Sequence, residues 1–515
     1  MTDELLRGIA VEHGTPTYVY DLATVTAKHA ALTSAFPDAD IRYAVKANAL
    51  GAILRHAVKL GMGAEALTEG ELERVLRAGF APERIVLGGP GHARRLVDRA
   101  TQVGVGLVSL DSRGAWELWR TSRGPARFVV RVNPGFDPHT HEHLATAAAH
   151  SKFGIQTDQA IEVAREIAAT GRLAGFHIHA GSMLSDATVA DLVVAALEPL
   201  YQLFPGLDVV DCGGGFAVPD APLAGFAAPL RAFAERHGVR LLIEPGRYLV
   251  ADAGVLLTTV LHAKTGGPVD HLIADAGMAD LVRPALYGAR HPVRALAAGG
   301  GLDRPAGPRS DDQQVPLDLD GPLCENADRL GRDVGLPLLA PGTVVVVEQA
   351  GAYGYAMASN YASSLRPAQV VVDGDEVRLA SRREEPSDLW RREDAGDGPE
   401  AVIDRVRGSR AFHGREPRRP GTCLLERALR TVGRSRTDRR AVDRRERGRG
   451  TCGTVDRRRV VVPDVVGEAS RRSPCRGMGD HGARTRPAGG LTATTGVRGS
   501  LRPSGSRPVS QPLGR

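Results

Sequence analysis

Lysine is scarce in this chain of 515 residues: of 66 lysines and arginines only Lys28, Lys46, Lys59, Lys152 and Lys264 are lysine. Where arginine is the habit, a retained amine points to chemistry that arginine cannot do, because lysine can deprotonate and form an imine. Cysteine is also sparse. Cys212, Cys324, Cys423, Cys452 and Cys475 lie far apart with no CxxC pair, which excludes a disulfide framework and a zinc site, and no metal is expected. No apolar run approaches the ~18 residues of a membrane span, and the start Met1-Thr-Asp-Glu lacks a basic segment followed by an apolar one. The expectation is a soluble cytoplasmic protein with no membrane contact.

A net charge of +6 suggests a nucleic-acid partner until the chain is divided. Residues 401–515 hold 28 Arg, no Lys and 10 acidic residues, a net of +18, so residues 1–400 hold 38 basic and 50 acidic groups, a net of −12. The body is acidic, and the basicity belongs to the tail.

In the body, short apolar runs at 41–46, 63–66, 84–88, 106–110, 127–133, 175–179, 208–213 and 240–244 alternate with amphipathic stretches such as 69–78 and 158–169. Eight strand-then-helix units over about 250 residues predict an α/β fold, a (β/α)8 barrel of the TIM type, with a doubly wound sheet as the alternative. A barrel predicts catalytic groups just after its strands. Lys46 ends the first run; His179 ends the sixth and is followed by Ala180-Gly181-Ser182. Gly213 ends the seventh and Gly214 and Gly215 follow it, where bare backbone N–H groups can approach a phosphate, and Glu244 closes the last, before Pro245-Gly246-Arg247. Singly, each has a plainer reading: a surface lysine, a structural histidine, a flexible loop, a turn. What counts is that each stands at the end of a different strand.

After residue 255 the pattern changes. Short β-rich runs at 255–262, 271–276, 343–349, 368–373 and 376–380 lack crossover helices and predict a mainly antiparallel C-terminal β-domain, with 297–321 as a surface loop.

The segments YAVKAN, HIHAGS, DCGGG, EPGR, DAGMADLVRPALYGA, GPLCEN and GAYGYAMASNYAS occur in that order over residues 5–395. Together they make the chain resemble the fold-type III pyridoxal-phosphate decarboxylases, most of all the branch acting on diaminopimelate. The resemblance implies an alanine-racemase-like barrel that binds pyridoxal 5'-phosphate, fused to a β-domain, in a homodimer with shared active sites. The implied division is an N-terminal segment packing with the β-domain (1–30), the barrel (31–265), a β-domain completing the site (266–395) and the tail (396–515).

By the same resemblance Lys46 holds the cofactor as an imine and His179 stacks on its ring. Ser182, Gly213, Gly214, Gly215, Gly246, Arg247 and Tyr353 surround it, and Glu244 faces the pyridine nitrogen, keeping it protonated so that the ring can accept electrons. Cys324, offered across the dimer interface, helps return a proton. Arg247, Arg283, Tyr287 and Tyr353 hold the substrate, whose carboxylate suits the bidentate arginine fork, and Glu325 takes its distal ammonium. The implied activity is conversion of meso-2,6-diaminopimelate to L-lysine and CO2, in lysine biosynthesis.

Some positions depart from the family: Met183 for a common Gln, Asn326 for Ser, Thr68-Glu-Gly-Glu-Leu for SGGEL, and Gly89-Pro-Gly-His92 for a more polar turn. They leave open ornithine, arginine, carboxynorspermidine or a carrier-bound glutamyl group as substrate, although the arginine and tyrosine of RPALYG favour a distal carboxylate. A non-catalytic regulator would be marked by loss of Lys46 or Cys324, and both are present. The Arg-rich tail reads either as a disordered basic arm for anions or as an aberrant extension. The second is preferred, and nucleic acid is not expected as a partner.

Overall fold

The computed structural model describes residues 1–135, 151–296 and 316–393. The Arg-rich tail and most of the predicted loop at 297–321 lie outside the described residues.

Eight parallel strands form a closed ring in sequence order: Asp40–Ala44, Gly63–Ala66, Ile85–Leu87, Leu107–Leu110, Arg127–Asn133, Leu173–His177, Val209–Asp211 and Arg240–Ile243. Leu242 pairs with Asp40 and Ile243 with Ile41, which closes the ring and makes it the barrel that the eight predicted runs required. Helices cross between strands on the outside. Glu69–Ala78 shows why they form: Thr68 Oγ1 accepts the Glu71 N–H at the start, Leu72 and Val75 bury one face, and Gly79 ends the helix at φ +98°.

The barrel interior is layered by the two-residue period of its strands. Val86, Leu107, Val129, Ala174, Val209 and Leu242, one from each of six neighbouring strands, form their own apolar cluster. Two residues further along four of these strands stand Ser109, Arg131, Asp211 and Glu244. A dry plug thus carries a polar layer, at the end of the barrel where the strands finish.

The second sheet is mixed, with six antiparallel and two parallel pairings among the described residues. Its core strands are Gly254–Lys264, Asp270–Ala274, Val344–Val347, Ala368–Asp373 and Glu376–Ser381. Thr17–Asp21 from the chain's beginning lies between Gly254–Lys264 and Ala368–Asp373. One end of the predicted loop needs correction: Leu317–Asp320 is a fully buried strand paired with Asp270–Ala274. Its two aspartates are occupied by Arg329, whose guanidinium reaches Asp318 at 3.4 Å and Asp320 at 2.6 Å. Charged residues alternating with leucine hid the strand in the sequence.

Candidate active site

The first barrel strand stops at Ala44, and a 3-10 turn, Val45–Ala47, swings Lys46 onto the barrel mouth. Lys46 is therefore two residues beyond its strand, half-buried, with Nζ 2.5 Å from Glu65 Oε2. Burial opposes the ammonium, but the charge of Glu65, with Tyr353 and Glu244, outweighs it and raises the pKa. Glu65, buried on the second barrel strand, was not singled out in the sequence because one glutamate among alanines carries no pattern.

His179 is likewise two residues past the end of Leu173–His177, and its Nδ1 accepts the Gly214 N–H at 3.1 Å. Burial, helped by Arg131 and Lys46, lowers its pKa to about 3, so the ring is neutral. Beneath it lies a group the sequence reading passed over. His177 Nδ1 is 2.8 Å from Ser109 Oγ, and its Nε2 is 4.0 Å from Asp211 and 3.8 Å from Glu244. The strand register makes His177 and Asp211 direct partners. Asp211 Oδ1 accepts the Gly213 N–H at 2.9 Å, while Asp211 Oδ2, Glu244 Oε1 and His177 Nε2 have no hydrogen-bond partner among the described residues.

Two buried carboxyls this close cannot both ionise freely. Burial pushes Asp211 up to about 6; burial, then Asp211 and Glu65, push Glu244 well above the usual carboxylate range. His177, Asp211 and Glu244 place donor atoms within 4.8 Å of one another, as a cation site would. His177 and Asp211 are already engaged by Ser109 and Gly213, and Arg131 and Lys46 bring positive charge to His177.

The three glycines are required by contact. A Cβ on Gly213 would meet the His179 ring, on Gly214 the Glu244 carbonyl, and on Gly215 the Gly181 carbonyl. Leu184 N–H donates to Gly215 O and Ala217 N–H to Leu184 O, which fastens the loop bearing Ser182 beside the glycines. Gly246 is pressed against Ala44 and Ala47, so its loop abuts the Lys46 turn.

The second sheet reaches the same mouth. Tyr353, at φ +57°, donates its N–H to Ala47 O at 2.8 Å, and Asn48 Nδ2 donates to Gly351 O at 2.9 Å. The Arg247 guanidinium lies 4.7 Å from the Tyr353 ring centre. Arg283 is held down to about 10 by burial and then by the like charge of Arg247, while Tyr353 and Tyr287 favour its charged form. Two guanidiniums and two phenols thus share one region, an arrangement that favours an anion between them.

Cys324 and Glu325 do not join this group within the chain. Both are exposed, and among the described residues Glu325 Oε1 is engaged locally, by the Ala327 N–H. Their loop is organised by buried Asp328, whose two oxygens accept the N–H groups of Met278, at 2.5 Å, and Leu323, at 2.6 Å. A Cβ on Gly277 or Gly321 would strike that carboxylate, so both glycines are required there.

Residues 22–251 match the family described as pyridoxal-dependent decarboxylase, pyridoxal binding domain. The chain is 37% identical over 386 residues to the diaminopimelate decarboxylase of Deinococcus radiodurans, a match covering 75% of this chain and 97% of that protein. It is 39% identical over 409 residues to that of Pseudomonas aeruginosa, covering 75% and 94%. A solved structure of the Helicobacter pylori diaminopimelate decarboxylase complexed with L-lysine superposes with a TM-score of 0.69 at 30% identity, over 76% of this chain and all of that one.

Proposed function

Because this chain belongs to the pyridoxal-dependent decarboxylases, in the diaminopimelate decarboxylase family, we propose that it removes CO2 from meso-2,6-diaminopimelate to give L-lysine. The observation that carries the substrate is the gathering of Arg247, Arg283, Tyr287 and Tyr353 at the mouth that holds Lys46. A substrate with a carboxylate remote from the reacting carbon needs such a grip; ornithine, which has none, would leave two guanidiniums facing each other uncompensated.

The residues present fit pyridoxal 5'-phosphate. An amine stands at a strand end beside a carboxylate that takes up its charge, and a backbone cradle has no room for side chains. A buried carboxyl also has an oxygen with no partner, as a pyridine nitrogen would require. When bound, this cofactor supplies a ring that accepts the electron pair left as CO2 departs.

In this reading Lys46 holds the cofactor and moves a proton, and Glu65 steadies its ammonium when the amine is free. Neutral His179 packs on the ring, and Gly213, Gly214, Gly215, Gly246, Ser182, Arg247 and Tyr353 enclose the phosphate side. Glu244 keeps the ring nitrogen protonated, with Asp211 and His177 behind it. Arg247, Arg283, Tyr287 and Tyr353 orient the substrate.

Cys324 and Glu325 serve the site of a second copy, which their exposure and rigid loop support, so the working unit is a homodimer. The N-terminal segment 1–30 packs with the β-domain that completes the site, and that domain begins before residue 266, because Gly254–Lys264 is one of its strands. A cytoplasmic place accords with bacterial relatives, and among the described residues no helix is long and apolar enough to cross a membrane.

The test is CO2 release from meso-diaminopimelate beside ornithine, arginine and a carrier-bound glutamate, with the cofactor band followed before and after borohydride. Turnover of diaminopimelate alone is expected. Turnover of another substrate with diaminopimelate inert would overturn the substrate, and absence of a reducible cofactor band would overturn the whole reading.

A further inference from the structure

We propose that His291 is a positioning residue that sets substrate selectivity, by presenting a lone pair to Arg283 and so aiming its guanidinium at a carboxylate. The inference rests on the reading of Arg283 as the substrate's carboxylate grip.

The geometry begins in the backbone. Arg283–Tyr287 is a single helical turn with a proline in its first positions, closed by Gly288 at φ +61°, whose N–H returns to Arg283 O and Pro284 O. The chain therefore doubles back, and His291 arrives beside the residue eight positions before it. Its Nε2 is 3.0 Å from Arg283 Nη1.

The other ring nitrogen decides the chemistry. His291 Nδ1 lies 2.9 Å from the backbone carbonyl of Glu348, which can only accept, so Nδ1 carries the proton. Nε2 must then be a lone pair, and a guanidinium, which has only donors, is its complement. The ring is held by register as well as by this bond: Val293 pairs with Val347, and Glu348 N–H donates to Pro292 O at 2.8 Å, so the carbonyl and the histidine lie just beyond the same end of one strand pair.

His291 is buried, and burial, with Arg283 and Arg247 adding to it, lowers its pKa to about 4, which keeps the acceptor available at neutral pH. Arg283 Nε is buried with no partner among the described residues. The arginine is thus held at one nitrogen and unsatisfied at another, as an arginine awaiting an anion would be.

The measurements are KM and kcat for meso-diaminopimelate, inhibition by L-lysine, which keeps a carboxylate, and inhibition by cadaverine, which has none. His291→Phe preserves the ring's bulk without the acceptor; His291→Gln places an amide oxygen near the Nε2 position. For His291→Phe the expected result is a KM and a lysine inhibition constant raised about tenfold, with kcat, cadaverine inhibition and the cofactor band little changed. His291→Gln should recover most of the loss.

An unchanged KM in His291→Phe, where Arg283→Gln raises it, would overturn the positioning role while sparing the functional reading. An equal loss of cadaverine inhibition would overturn it too, by showing general damage. If Arg283→Gln itself leaves KM and lysine inhibition unchanged, it is the assignment of Arg283 that fails.

Discussion

Glu244→Gln should act in opposite directions on stability and on catalysis. Glu244 is buried beside Asp211, with one oxygen unpartnered, and its pKa is pushed up from the ordinary 4.5 by burial, then by Asp211 and Glu65. A carboxyl whose folded pKa is raised binds protons more tightly folded than unfolded. It therefore costs nothing below about 4.5 and costs stability progressively as the pH climbs toward the folded value. The loss steepens as the unfolded carboxyl ionises, so wild type without cofactor should lose roughly 1 kcal/mol between pH 4.5 and 5.5 through this group alone. Glutamine does not ionise, so the variant carries no such pH-dependent cost.

Thermal unfolding of cofactor-free protein should show the variant matching wild type near pH 4. It should be more stable by about 2 °C or more at pH 6 to 7. With cofactor bound the order reverses, because the buried charge that would meet the pyridine nitrogen is gone. kcat should then fall roughly 100- to 1000-fold, as expected when one partner of a buried charged pair is removed. A cofactor-free variant less stable than wild type at pH 7, or a stability gap that does not change with pH, would refute the electrostatic reasoning. So would a kcat within a few-fold of wild type.

The shared site predicts subunit complementation. Lys46→Ala and Cys324→Ala homodimers should each be almost inactive, but co-expression should restore about a quarter of wild-type activity, since half the dimers are mixed and each has one intact site. Recovery of nothing would place Cys324 outside the partner's site. Gly214→Ala drives a Cβ into the Glu244 carbonyl and should cost about 1–3 kcal/mol while abolishing cofactor retention, read by thermal unfolding and by the bound-cofactor band. Removing residues 396–515 should leave kcat and the dimer unchanged, checked by assay and sedimentation; loss of either would give the tail a role.

Much of the site was legible in the sequence because a parallel barrel places its chemistry at strand ends, and strand ends are local features. Lys46, His179, the three glycines and Glu244 could be located from apolar runs followed by an unusual residue. What could not be located were groups defined by neighbours far along the chain. Glu65 matters because its strand lies next to that of Lys46. His177 and Asp211 matter because the register sets them side by side beside Glu244. His291 matters because a one-turn helix folds it back onto Arg283. None of these carries a spacing signal, since each depends on which strands become adjacent.

The sequence by itself determined the alternation of strand and helix, the kinds of reactive group and their order. Periodicity and side-chain chemistry are written residue by residue, so these follow from local rules. Only the tertiary structure decided the charge states and the pairings. Burial raised Asp211 and Glu244, proximity to Glu65 kept Lys46 charged, and the Glu348 carbonyl chose the His291 tautomer. Desolvation and Coulomb energy depend on distance in space, and that distance exists only once the ring has closed.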